Sequence, residues 1–257
     1  MVTKTLSQNS LALIDDYVKF TFAGATCSIP YFNNKTTKSR AGLRALIGKG
    51  RPEEIRDELE IIIKKQKVDE ANLDSQSLKK ILVDNNLGIE CSGFAFHILE
   101  AESQSRGLGS LTKNINFINC KGFIGQMRCM LRPVENCDVS TFANNKNSSI
   151  IPLSQIRPGD IITMTKEHED AMRNHILIIK EVCYESDLPV SFKYAHAVAY
   201  PEDGLYGSQI RQGQVKIVDQ NKDITEQIWQ EEGSISNGLS IYYFGKYSFQ
   251  LRKLNFF

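Results

Sequence analysis

The spacing of apolar residues changes once along this chain, and that change restricts its fold more than any other feature. Through Leu99 the apolar positions recur mainly at helical intervals. From Asp160 onward they come in short β-branched and aromatic runs, divided by Pro, Gly and Asp. Helices first and strands later predict an α+β domain rather than an alternating α/β one.

The helical half begins with Leu11, Leu13, Ile14, Val18 and Phe20. "SRAGLRALIGKG" (39–50) reads as a helix stopped by glycine. "RPEEIRDELEIIIKKQK" puts Pro52 and two Glu in a first turn and lysines in the last, matching the helix dipole at both ends. "DSQSLKKILVDNNLG" (74–88) reads as a third helix. Residues 39–88 are therefore expected to be a helical insertion within a single domain spanning 1–257. Residues 103–150 show no clear period and are expected to be an irregular insertion or a lid.

Five runs are expected to be strands of a mostly antiparallel sheet: "DIITM" (160–164), "HILIIKEVCY" (175–184), "SFKYAHAVAY" (191–200), "QVKIVD" (214–219) and "LSIYYFG" (239–245). A helix is expected over 221–231.

Lys+Arg number 31 against 30 Asp+Glu, so the net charge of +1 gives no global field for nucleic acid or anionic lipid. No apolar run is long enough to span a membrane. Asp15 and Asp16 interrupt the only early apolar stretch, which argues against a signal peptide and for a cytoplasmic protein. The six cysteines are scattered, with no C-x-x-C pair, and are expected to be reduced. Cys120, Cys129 and Cys137 fit no zinc spacing, so neither a metal nor a cofactor is expected.

"GIECSGFAFHIL" (88–99) places Cys91 at the head of an apolar run. A thiol in the first helical turn faces unpaired N–H groups, which lower its pKa and can hold a developing oxyanion. Such a cysteine is more often plain packing, so it needs a base. His97 sits further round the same helix and reads as structural. His168 lies in the charged stretch "TKEHEDAMRNH" and reads as solvated. His175 and His196 open and occupy successive expected strands, and antiparallel pairing would put them side by side. Cys91 would then be the nucleophile, His175 the base and His196 the residue that fixes its tautomer.

Four segments occur together: "ECSGF" (90–94), "IRPGDIITM" (156–164), "HILIIKEV" (175–182) and "AHAVAYP" (195–201). In this order they resemble the NlpC/P60 peptidases, the bacterial branch of papain-like enzymes, with Pro30-Tyr31 resembling the upstream element. The resemblance implies a papain-like core and a Cys91, His175, His196 triad, with Tyr31 near it. It further implies a cysteine hydrolase that cleaves an amide, plausibly a γ-D-glutamyl-type bond of a cell-wall peptide, through a thioester. Glu90 stands where the family usually has Asp and would read the substrate's amino group. Ser92 and Gly93 would flank the substrate, Gly93 leaving room for its backbone. Arg211, in "GLYGSQIRQGQ", would read a carboxylate. The expected partner is a peptide or peptidoglycan fragment. Two alternatives stand beside this reading: a catalytically inactive papain-like binding module and a thiol acyltransferase.

Overall fold

The first strand, β1 (Val2–Thr5), leads into α1 (Gln8–Val18), which Ser7 caps by accepting the Ser10 N–H. The computed structural model describes residues 1–34, 43–118, 120–166, 173–233 and 238–257. A small hairpin follows α1, formed by β2 (Phe20–Phe22) and β3 (Ala25–Cys27). Next come α2 (Pro52–Gln66), α3 (Ser75–Asp84) and α4 (Cys91–Ser105). Asp74 starts α3 by accepting the Ser77 N–H, and the left-handed Lys67 ends α2. Four short helices come after: α5 (Leu111–Asn114), α6 (Gly122–Leu131), α7 (Pro133–Asn136) and α8 (Val139–Ala143). The remainder is β4 (Ser148–Ile150), β5 (Ile161–Lys166), β6 (His175–Glu185), β7 (Leu188–Val198), β8 (Gln209–Lys216), β9 (Ile228–Glu231), α9 (Gly238–Tyr242) and β10 (Tyr247–Leu254).

The fold is α+β, built on an eight-stranded sheet in the order β4-β10-β5-β6-β7-β8-β9, with β1 also on β6. Every pairing within it is antiparallel. The hairpin β6–β7 forms its middle. Only Ser186 and Asp187 join these two strands, at φ 49° and 64°. Two positive φ values in a two-residue loop match the natural twist of the strands. One edge of β6 pairs with β7. The other is shared by β5 (Ile161↔Ile178 to Met164↔His175) and β1 (Thr5↔Glu181 to Val2↔Tyr184).

Both faces of the sheet are covered, which is why "HILII" reads as a continuous apolar run. Ile176, Ile178, Ala195 and Ala197 join the helical core of α1, α2, α3 and α4. Leu177, Ile179, Tyr194 and Val198 point the other way, into a second cluster with Trp229, Leu239, Tyr243 and Tyr247. Ile55, Leu59 and Ile63 of α2 and Leu78 and Leu82 of α3 belong to the same core as Leu13 and Phe94. Among the described residues no helix is long and apolar enough to cross a membrane.

Several expectations need correction. Residues 239–245 form no strand: α9 occupies 238–242, with Leu239 and Tyr243 buried one helical turn apart. A short apolar run fits either element until its neighbours are known. Residues 221–231 are not a helix. Asp223 caps a single 3₁₀ turn over Ile224–Glu226, and Trp229 then pairs with Val215 in the sheet. In 39–50 the described part holds only a 3₁₀ turn, Arg44–Ile47, ended by Gly48 at φ 73°; residues 35–42 lie outside the described residues. The sheet exceeds the expected five strands because β1, β4, β9 and β10 join it. Cys120 and Cys129 form a disulfide, so the thiols are not all reduced.

Because α2 shares the main core, Leu59→Ala is expected to destabilise the whole protein by about 2–5 kcal/mol. Denaturant unfolding followed by far-ultraviolet circular dichroism and by Trp229 fluorescence should shift together. A helical transition separate from that of Trp229 would contradict a shared core.

Candidate active site

Cys91 is the first residue of α4, and its neighbours hold that helix end rigidly. Glu90 precedes it in extended conformation and makes no side-chain cap, so the first-turn amides meet no capping oxygen. Gly93 packs downward: a Cβ there would lie 2.9 Å from Gly48 O and 3.0 Å from Ile89 Cδ1. The expectation that Gly93 makes room for substrate is therefore corrected. Its small size lets α4 seat against residues 48 and 89. Gly48 carries a parallel constraint, since a Cβ would fall 2.3 Å from Phe32 O.

Lys49, which the sequence reading passed over, is buried beside Cys91. Its ammonium meets Glu90 Oε1 at 2.6 Å, Ser92 Oγ at 2.8 Å and Cys137 O at 2.7 Å. Three donors meet three acceptors. Ser92 Oγ also donates to Glu90 Oε1 at 2.6 Å. Glu90 and Ser92, expected to meet substrate, both line the cleft that holds Cys91, and Glu90 there also binds the protein's own Lys49 ammonium.

Cys91 Sγ rests against the start of β6. It lies 4.0 Å from Asn174 O and near the Ile176 and Ser92 amides. Asn174 and Ile176 flank His175, so the sulfur reaches the backbone on both sides of that histidine. Among the described residues it makes no hydrogen bond to the imidazole itself. Burial pushes the thiol up to about 12, and the Glu90 charge adds to this, against Lys49 and the amides. The expected lowering at a helix N-terminus is thus outweighed by desolvation.

The two strand histidines meet as expected. The register pairs Ile178 with Ala195, and further along the strands His175 and His196 come together on the same face. His175 Nε2 and His196 Nδ1 are 2.7 Å apart. His196 Nε2 in turn lies 2.8 Å from Glu231 Oε1, which also accepts from Tyr200 Oη at 3.0 Å. The side chains of His196 and Glu231 are both fully buried. Where the Glu231 oxygen accepts, His196 donates from Nε2, and in that tautomer its Nδ1 is the acceptor for His175. His175 then carries its proton on Nε2, and its Nδ1 lone pair is left over. Burial, and secondarily His196, holds His175 well below the ordinary histidine value, so it is neutral at pH 7.

Glu231 is the residue that sequence reasoning missed. It lies at the end of β9, within the stretch read as a helix, and "WQEEG" looks like a solvated surface. The one available signal was Trp229 two residues earlier, a strand-favouring residue whose alternation puts 229 and 231 on one face.

Two clefts meet at Arg173 and Asn174. One is lined by Glu90, Cys91, Ser92, Val139 and Lys166, the other by Tyr31, His175, Val198 and Tyr243. Tyr31 is therefore brought to the site; its hydroxyl accepts from Asn33 at 3.2 Å, and burial raises its pKa. Arg211 is not. Although it faces His196 across the β7–β8 ladder, its guanidinium is buried, paired with Asp203 and stacked 5.2 Å over Tyr200. His97 is structural as expected, donating from Nε2 to Lys49 O at 2.9 Å. His168 lies outside the described residues. Comparison of the chain with protein-family models, curated proteins and solved structures gave no match.

Removing one partner of a buried ion pair leaves the other charge uncompensated. Lys49→Met is therefore expected to cost about 3–5 kcal/mol in denaturant unfolding, and a loss below 1 would show that the network is not needed. A pH prediction follows from His97, which burial lowers from 6.5 to about 3. Its folded value lies below its unfolded one, so the unfolded chain takes the proton first as pH falls. The stability present above pH 6.5 is thus lost on the way down to about 3, at up to ~1.4 kcal/mol per pH unit. His97→Gln should flatten that acid limb of the stability curve; an unchanged slope would contradict a neutral buried His97.

Proposed function

We propose that this protein is a cysteine hydrolase that cleaves an amide bond through a thioester, with Cys91 as nucleophile and His175 as base. One observation carries the reading: a buried chain from Glu231 through His196 to His175 ends in a free imidazole lone pair on the residue flanked by the Cys91 contacts.

The chemistry is as follows. Substrate fills the clefts around Arg173–Asn174 and draws the sulfur and the imidazole into contact, a contact that is often long in a resting site. The thiol proton passes to His175 Nδ1 as Sγ attacks the carbonyl carbon. First-turn amides of α4 stabilise the oxyanion. The C–N bond breaks, and the proton on His175 goes to the leaving amine. Water, deprotonated by the same imidazole, then cleaves the thioester and restores the thiol. Glu231 and His196 keep His175 in the reactive tautomer.

Lys166 and Arg173 line the cleft together with Asp138 and Glu90, so it offers both signs of charge to a substrate. A cell-wall peptide of γ-D-glutamyl type, which carries both carboxylates and an amine, fits such a lining, in line with the resemblance to NlpC/P60 peptidases. The Lys49 ammonium already occupies Glu90, so recognition of a substrate amine would fall elsewhere in the cleft.

A second reading has its own observation. Cys91 is only 6% exposed and its thiol is raised to about 12, as expected of a binding module that has kept the shell of an enzyme.

Incubation with muropeptides, read by mass spectrometry, separates the two. Wild type should release a peptide fragment, and Cys91→Ala and His175→Ala should each lose at least about 10³-fold in kcat. Glu231→Gln should lose at least roughly tenfold in kcat with KM little changed, because it acts through tautomer and charge. Equal turnover by wild type and Cys91→Ala would overturn the proposal. Binding without turnover would favour the module.

A further inference from the structure

We infer that α6 is a docking element for an anionic lipid surface. This helix is inverted relative to an ordinary surface helix. Phe123, Ile124, Met127, Met130 and Leu131 follow helical spacing on one face, and they are 77%, 82%, 48%, 69% and 78% exposed. The opposite face carries the small residues Gly125 and Cys129, and Cys129 is buried and bonded to Cys120. The disulfide therefore ties the start of the segment to the last turn of the helix and fixes which face is presented. Amphipathic surface helices normally bury such a stripe, and isolated exposed apolar residues do not line up at this spacing.

Charge selects the occupant. Between Glu102 and Glu135 the chain carries Arg106, Lys113, Lys121, Arg128 and Arg132 and not one acidic residue. The protein as a whole is almost balanced, at +1. Lys113, Lys121 and Arg128 are exposed, and among the described residues none of the three has an ion-pair partner. An apolar face bordered by unpaired cations fits the headgroup layer of an anionic bilayer, where the apolar side chains enter the acyl boundary and the cations meet phosphate. A second copy of the chain fits it poorly. A two-fold contact through this face would bring Lys121 and Arg128 of both copies to one rim, with no local acid to offset them.

The position of the helix gives docking a consequence. Arg132 joins α6 directly to α7, which ends at Asn136, and the next residues, Asp138 to Ser140, line the cleft containing Cys91. A docked protein would hold that cleft next to the lipid headgroups. The proposal does not depend on the hydrolase reading and can fail independently of it.

The test is co-sedimentation of the purified full chain with vesicles of phosphatidylcholine alone and of phosphatidylcholine with phosphatidylglycerol. Binding to the anionic vesicles should exceed binding to the neutral ones by at least roughly tenfold at low salt and fall as salt rises. Lys121→Gln and Arg128→Gln should each weaken it about fivefold. Phe123→Ser/Ile124→Ser/Leu131→Ser should bring it to the neutral background, while thermal unfolding shows the variant still folded. Failure to bind anionic vesicles, equal binding to both vesicle types, or binding unaffected by the triple variant would overturn the proposal. Sedimentation velocity without lipid covers the remaining occupant: a dimer dissolved by the triple variant would also overturn it.

Discussion

The pairing of β6 with β7 is the constraint from which the rest of the structure follows. A two-residue loop with both φ values positive starts the pairing, two irregularities (between Cys183 and Tyr184 and between Ile179 and Glu181) shift it along the way, and the resulting register of Ile178 opposite Ala195 brings His175 and His196 together on one face. A slip by one residue would turn one histidine into the helical core and the other away from it. β5 and β1 then share the remaining edge of β6, while β8 and β9 extend the sheet beyond β7 and deliver Glu231. The sheet thus lines up three side chains from three strands without any of them being close in sequence.

Against this frame α4 supplies the sulfur. The helix is anchored by Phe94, Ile98 and Leu99 in the main core, and its first residue meets the backbone on either side of His175. The buried Lys49 network sets the local charge. It neutralises Glu90, ties Ser92 and Cys137 to the same point, and so fixes the wall of the cleft. The resting site is a neutral thiol beside a neutral imidazole. In the proposed hydrolase the thiolate–imidazolium pair forms only when substrate displaces water and brings the groups together. This tight, uncharged resting state also limits oxidation of the sulfur.

Much of this was legible in the sequence, and what was missed has physical causes. Helices α1, α2 and α3 announced themselves by period, and α2 also by its dipole-matched ends. The strands β5, β6 and β7 were readable because β-branched runs there are bounded by Pro, Gly and Asp. The Cys91, His175 and His196 positions came from one residue at a helix head and two on successive strands, a pattern that needs no tertiary knowledge. Glu231 was not readable, since its role depends on burial under β8 and Tyr200, while "WQEEG" alone looks solvated. Lys49 was hidden likewise: a lysine between two glycines looks like a helix stop, and only the fold sinks it among three acceptors. α9 and β9 exchanged their expected types because runs this short carry no decisive period, so packing against Tyr200 and Val215 decides instead.

The central claim is that Glu231 and His196 order the His175 imidazole so that Nε2 is engaged and Nδ1 keeps an open lone pair beside the backbone that Cys91 touches. Long-range proton–nitrogen correlation spectra of the uniformly labelled protein at pH 7 read this directly, since the chain has only four histidines. The account predicts that His175 is neutral, with its proton on Nε2 and an unprotonated Nδ1. A His175 protonated on Nδ1 would leave no base beside Cys91 and contradict it.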